Sequence, residues 1–211
     1  QYVAEVVTRY KDSPAIWAWE FGNEYNLAAD LPNAAQHRPP VWPKLGTAAQ
    51  RTERDELTYD MLVVAWREFG REVRKHDPYR LIGTGNSILR ESAWHNRDER
   101  SWKQDTPEQS AQMLALTAPE PIDLISVHCY GKALARVGDV AAAAKPLGKA
   151  VFVGEFQVDD STSSATRPAM EEFLASLDRH AIPLAAVWVF DLPSQTKDFS
   201  ITADNARSWQ L

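Results

Sequence analysis

The spacing of apolar positions changes repeatedly along the chain. Tyr2, Val3, Val6, Val7 and Tyr10 recur at helical spacing, and Pro14 cannot continue such a helix. Ile16-Trp17-Ala18-Trp19-Glu20-Phe21 reads as a strand buried on both faces. Residues 22–52 hold Pro32, Pro39, Pro40 and Pro43 and read as loop. Thr52 to His76 is predicted helical, with Leu57, Met61, Val64, Ala65, Phe69 and Val73 on one apolar face and Asp77-Pro78 as its stop. Leu81–Thr84 is a short strand, and Asn86–Asp105 a second long loop. Thr106 caps the next helix, with Pro107 in its first turn and an end near Leu116. Ile122–Val127 is a strand, 139–146 a short Ala-rich helix, Ala150–Gly154 a strand, Arg167–Arg179 a helix and Leu184–Phe190 the last strand. Residues 205–211 read as the start of a terminal helix.

Strict alternation of helix and strand predicts an α/β fold with a parallel sheet and right-handed crossovers. An open doubly wound sheet and a (β/α)8 TIM barrel both satisfy it. No glycine-rich nucleotide fingerprint follows any strand. Polar residues instead collect where five strands end: Asn23 and Glu24; Asn86; His128 and Tyr130; Glu155; Trp188 and Asp191. Barrel chemistry sits at the C-terminal ends of strands, so the barrel is favoured.

Composition narrows the picture. The 211 residues are 44% hydrophobic and 25% charged, enough apolar material for one region with a real core. No apolar run approaches the ~18 residues of a membrane span. Lys and Arg number 23 against 29 Asp and Glu, so the net charge is −6, which argues against nucleic acid as a partner. A single cysteine, Cys129, excludes an internal disulfide framework and a Cys-rich zinc site. It alternates with His128 and Tyr130 along its strand, so it is expected packed and inert. No H-x-x-x-H spacing suggests a metal, and none is expected. Eight Trp stand out. Indole faces suit both sugar clefts and large cores.

Two carboxylates end the first and fourth strands, Glu24 in Phe21-Gly22-Asn23-Glu24 and Glu155 in Val153-Gly154-Glu155-Phe156. In a barrel they can face each other across the mouth. A lone Glu at a strand end more often pairs with an Arg or caps the strand. Two of them on alternating βα units, one after Asn and one after Gly, favour paired acid–base chemistry. Carboxyls about 5–5.5 Å apart suit retaining glycoside cleavage, in which one donates a proton and the other attacks.

The surrounding motifs carry a resemblance. Glu20-Phe21-Gly22-Asn23-Glu24 looks like the E-x-x-N-E motif on strand 4 of clan A glycoside hydrolases. His128-Cys129-Tyr130 resembles their strand-6 H-x-Y, Val153-Gly154-Glu155-Phe156 their strand-7 nucleophile motif, and Trp188 their strand-8 Trp. Four motifs in order, from Ile16 to Phe190, resemble glycoside hydrolase family 5, the cellulase and mannanase family. The resemblance implies Glu24 as acid/base and Glu155 as nucleophile. It implies that Asn23 bonds the sugar 2-OH, Tyr130 donates to Glu155 and keeps it ionised, His128 contacts substrate or the acid, and Trp188 floors the −1 subsite. Two nearby carboxyls resist double ionisation, so one holds its proton. Asn86 and Trp94, after the second strand, join the candidate substrate-binding set, with His37 and His95 as further cleft candidates. Trp42, Trp94 and Trp102 lie in loops, where stacking on sugar and plain loop packing are both open. Trp17, Trp19 and Trp66 are expected in packed positions. Glu20 shares the strand face of Glu24 and is expected to pair with a cation.

This sequence departs from the family pattern at Tyr25, where Pro usually follows the acid. If Asn23-Glu24 closes strand 4, strands 1–3 and their Arg and His are missing. Residues 1–211 then form a partial barrel of about five parallel strands with an exposed edge. A fragment, self-association or a second chain covering the edge is the expectation. The implied function is a glycosidase with no cofactor, acting on an oligo- or polysaccharide and secreted or periplasmic by its substrate class. The rival is a catalytically silent carbohydrate-binding or assembly module.

Overall fold

The structure, a computed structural model, describes residues 1–158 and 163–211. These fall into two compact units, 1–123 and 124–211.

In the first unit, α1 (Tyr2–Tyr10) leads into the short strand β1 (Ala18–Glu20). The expected helix from Thr52 splits in two. Thr52 closes a single 3₁₀ turn, Glu53–Asp55, through a reciprocal capping box with Asp55. Thr58 then caps α2 (Tyr59–His76), its hydroxyl accepting from the Met61 N–H. The buried stripe of α2 is Tyr59, Leu62, Val63, Trp66, Gly70 and Val73, so the expected face was rotated: Met61 and Val64 are exposed. Bulk and its absence decide the rotation. Trp66 is fully buried, and Pro121 packs so close to Gly70 that a Cβ there would lie 2.9 Å from the proline ring.

Strand β2 (Leu81–Gly83) pairs in parallel with β1, Trp19 opposite Ile82. The Trp19 indole donates to Asp77 Oδ2 at 2.9 Å, tying β1 to the α2–β2 turn. Asp77 also accepts from the Arg80 guanidinium at 3.0 Å and from the backbone N–H groups of Tyr79 and Arg80. Burial opposes its ionisation, but these donors outweigh it and hold the carboxyl at about 2. Asp123 pairs with Arg74 and accepts from the Ile82 N–H at 2.8 Å. The long loop after β2 contains the unforeseen helix α3 (Ala93–Glu99), followed by α4 (Pro107–Leu116), whose Thr106–Gln109 capping box is as expected.

Trp17 departs from expectation: it is 70% exposed, although Trp66 is fully buried and Trp19 half-buried. Trp17 lies just before β1, a strand of three residues that pairs along one edge only among the described residues.

In the second unit, β3 (Leu124–Tyr130), β4 (Ala150–Gln157) and β5 (Leu184–Val187) form a parallel sheet in that order. The crossovers are α5 (Val137–Ala144) and α6 (Arg167–Arg179). β3 is buried along all but its last residue, as a parallel strand covered on both faces should be. Phe173 of α6 packs on Phe156 of β4 with ring centroids 4.9 Å apart. β5 stops pairing at Val187, earlier than expected; the chain continues through a single parallel bridge, Phe190 to Ile201. The terminal segment is a 3₁₀ turn at Ser208–Gln210, not an α-helix. Cys129 is fully buried, and burial pushes its thiol up to about 12, so it is inert. Among the described residues no helix is long and apolar enough to cross a membrane.

Candidate active site

The polar candidates sit where the sequence places them, at the C-terminal ends of parallel strands. In the first unit the chain leaves β1 through Phe21, whose N–H donates to the Gly83 carbonyl at 3.2 Å. It then turns sharply at Glu24, which adopts a left-handed conformation, φ 54°. A residue with a Cβ pays about 1–2 kcal/mol there. The turn is held by the Glu24 N–H, which donates to the Gly85 carbonyl at 2.8 Å. Gly85 is itself left-handed, φ 66°, and a Cβ on it would lie 1.8 Å from the Gly22 carbonyl oxygen. Only glycine fits that approach.

Asn26 completes the join between the two loops. Its Oδ1 accepts from the Ser87 N–H at 3.0 Å and its Nδ2 donates to the Ser87 carbonyl at 2.8 Å. Asn26 and Gly85 therefore position Glu24, although neither carried a motif in the sequence. A glycine directly after a strand was the one available signal. Asn23 is exposed and Glu24 half-buried. Asn86 is buried, and its Oδ1 has no hydrogen-bond partner among the described residues. Trp94 is half-buried in α3, its ring edge-on to His95 at 5.0 Å. His95 is buried against Asp105, and His37 contacts Asn33 at 3.2 Å. Glu20 is exposed, with a carboxylate oxygen 3.8 Å from where a Gly85 Cβ would lie.

In the second unit, β3 and β4 bring His128, Tyr130 and Glu155 together. A register shift after Val127 sets His128 opposite Glu155. Tyr130 Oη donates to Glu155 Oε2 at 2.5 Å, and His128 Nδ1 lies 3.5 Å from Glu155 Oε1. The Glu155 side chain keeps 14% of its exposure, so one end of it still meets solvent. Gly154 makes room for the imidazole: a Cβ there would lie 2.9 Å from His128 Nε2. Phe199 backs the Tyr130 ring at 5.7 Å.

Trp188 follows β5, joined to Val189 by a cis peptide bond. Its indole donates to Gln195 Oε1 at 2.8 Å, its backbone N–H donates to the Phe156 carbonyl at 3.0 Å, and its carbonyl accepts from Gln157 Nε2 at 3.1 Å. One bond to the ring and two to its backbone hold Trp188, half-buried, beside the strand that carries Glu155. Chemically the second unit offers a fixed carboxylate with a phenol donor, and the first a carboxylate on a strained turn.

The model of the cellulase family, glycosyl hydrolase family 5, matches residues 1–191. A probable mannan endo-1,4-β-mannosidase C of Aspergillus terreus is 32% identical over 102 residues, which are 44% of this chain and 20% of that protein. The endo-1,4-β-D-mannanase of Thermotoga petrophila superposes with a TM-score of 0.62 at 16% identity, covering 99% of this chain and 61% of that one. The endo-1,4-β-mannanase of Rhizomucor miehei gives 0.63 at 20% identity, covering 97% and 56%. The chain thus spans about a fifth of the curated relative and less than two thirds of either solved structure. The likeness shows the fold, that of a (β/α)8 TIM barrel, of which five parallel strands are present among the described residues. The chain belongs to the cellulase family, glycosyl hydrolase family 5.

Proposed function

We propose that this chain carries the catalytic groups of a glycosidase that cleaves β-linked glycans with retention of configuration. In this reading Glu155 is the nucleophile and Glu24 the acid/base. Glu155 attacks the anomeric carbon through a carboxylate oxygen while Glu24 gives its proton to the departing glycosidic oxygen. Glu24, now a carboxylate, takes a proton from water; that water displaces Glu155 and restores the starting anomeric configuration. Asn23 holds the 2-OH, Trp188 lies under the ring, and His128 touches substrate or the acid. Asn86 and Trp94 line the substrate path.

The observation that carries this reading is the hydrogen bond from Tyr130 Oη to Glu155 Oε2, 2.5 Å. It occupies one carboxylate oxygen and leaves the other oriented for attack. The left-handed turn at Glu24 supports it too, since strain of this kind concentrates at functional positions. The curated relative and both solved structures described above are named as mannan-degrading enzymes, so β-1,4-mannan is the first substrate to try, then β-1,4-glucan.

The test is hydrolysis of an aryl β-mannoside, an aryl β-glucoside and the two polymers by the purified protein and by Glu155→Ala. Turnover lost on substitution is the expected result. Turnover that survives overturns the nucleophile assignment, and sugar binding with no turnover in the parent supports the silent binding module.

A further inference from the structure

The loop after α3 carries Trp102, and it is built in an unusual way. Trp102 is 53% exposed, so it contributes little to any core. Yet the backbone on both sides of it is pinned. Before it, the Ser101 N–H donates to the His95 carbonyl at 3.1 Å, and Asn96 Nδ2 donates to the Ser101 carbonyl at 2.8 Å. After it, the fully buried Asp105 carboxylate accepts from the N–H groups of Trp94 and His95, at 2.8 and 3.1 Å. The His95 imidazole, also buried, lies with Nδ1 2.7 Å from the same carboxylate. A buried carboxylate is costly unless its donors are all present. This clamp supplies them, and it orders a segment without regular structure whose one large side chain points out of the core.

The indole is also backed on one face. Arg90 Cζ stands over the ring at 5.9 Å, and Arg90 Nη2 is anchored to the Leu27 carbonyl at 2.9 Å. Leu27 in turn donates its N–H to the Glu24 carbonyl at 3.0 Å. The ring is therefore fixed to the turn that carries Glu24. A cation backs the ring on one side, and 53% of the residue stays open to solvent for a ligand. A rigid indole with one open face binds flat apolar surface without paying to order itself. The C–H face of an equatorially linked pyranose is such a surface.

We propose that Trp102 is a stacking platform for a pyranose unit of a β-1,4-linked glycan, outside the ring that is cleaved, with Arg90 and the His95–Asp105 clamp as its positioning residues. The substrate class rests on the glycosidase reading above.

Titration calorimetry tests this, with β-1,4-mannohexaose, cellohexaose and the matching disaccharides as probes, in protein carrying Glu155→Gln. Trp102→Ala is expected to weaken hexaose binding about tenfold, the scale of one aromatic stacking contact, and disaccharide binding less. Trp102→Leu keeps the apolar bulk and removes the flat face, so it carries the test if the alanine variant folds poorly; the same loss is expected. Hexaose affinity equal to the parent in the leucine variant overturns the platform, as does a parent that binds neither hexaose. Trp102-dependent binding in the Glu155→Gln protein, together with no hydrolysis of any glycan by the chain that keeps Glu155, leaves the platform standing and removes the glycosidase reading. Hydrolysis with binding untouched in both Trp102 variants does the reverse.

Discussion

The phenol of Tyr130 donates to the Glu155 carboxylate at 2.5 Å across the ends of two adjacent parallel strands. Both residues are held from behind, Tyr130 by Phe199 and Glu155 by its place in the sheet. The bond fixes one carboxylate oxygen, and with it the direction in which the other faces.

Tyr130→Phe removes that bond and little else. Turnover is expected to fall on the order of 100-fold with the melting temperature nearly unchanged, the scale seen when one positioned donor is lost from an active site. Steady-state kinetics beside a thermal melt measures both. Full activity in the phenylalanine variant rules out a positioning role for Tyr130.

Glu24 sits at φ 54°, and its backbone strain can be separated from its chemistry. Glu24→Gly and Glu24→Ala both remove the carboxylate, and only glycine relieves the turn. The glycine variant is expected to be more stable than the alanine variant by about 1 kcal/mol, with both inactive. Urea unfolding of the pair decides it. Equal stability means the turn relaxes when the side chain is cut back.

Gly85→Ala places a Cβ where the Gly22 carbonyl oxygen now lies, 1.8 Å away, at φ 66°. Overpacking and a left-handed alanine together are expected to cost about 3 kcal/mol. Activity should fall further than stability alone explains, because the Gly85 carbonyl holds the Glu24 N–H. A variant with parent-like kcat at a temperature where it is folded contradicts that link.

Asp77 gives a pH signature. Its carboxyl is held at about 2 against an ordinary 3.8, so its contribution is complete above pH 3.8 and is lost as pH falls through 2. The shift corresponds to about 2 kcal/mol. Unfolding free energy measured across that window should fall less steeply for Asp77→Asn than for the parent. Parallel curves would show that the Trp19 and Arg80 bonds do not favour the charged form.

How much of this was legible in the sequence follows from what each signal depends on. The five strands and the Glu24, His128, Tyr130 and Glu155 positions were readable because a buried parallel strand is a short apolar run that ends in polar residues. The split at Thr58 was not, because two Thr caps lie six residues apart and periodicity does not choose between them. Neither was the buried face of α2: Met61 and Val64 are as apolar as Leu62 and Val63, and the choice was made by Trp66 and by Pro121 against Gly70. The Asn26–Ser87 join links loops far apart in the chain, and Arg90 meets Trp102 across the unforeseen helix α3, so no local pattern marks either contact.

The central claim is that Glu155 forms a covalent bond to the sugar while Glu24 serves the leaving group. In a 2-deoxy-2-fluoro β-mannosyl fluoride the fluorine at C2 slows both steps while the anomeric fluoride leaves readily as Glu155 bonds to C1, so the covalent intermediate should accumulate. Mass spectrometry of the digested protein is expected to find one added fluorosugar, on the peptide containing Glu155, with no label in Glu155→Gln. A label on any other residue, or turnover of substrate to the inverted anomer with no label at all, contradicts the account.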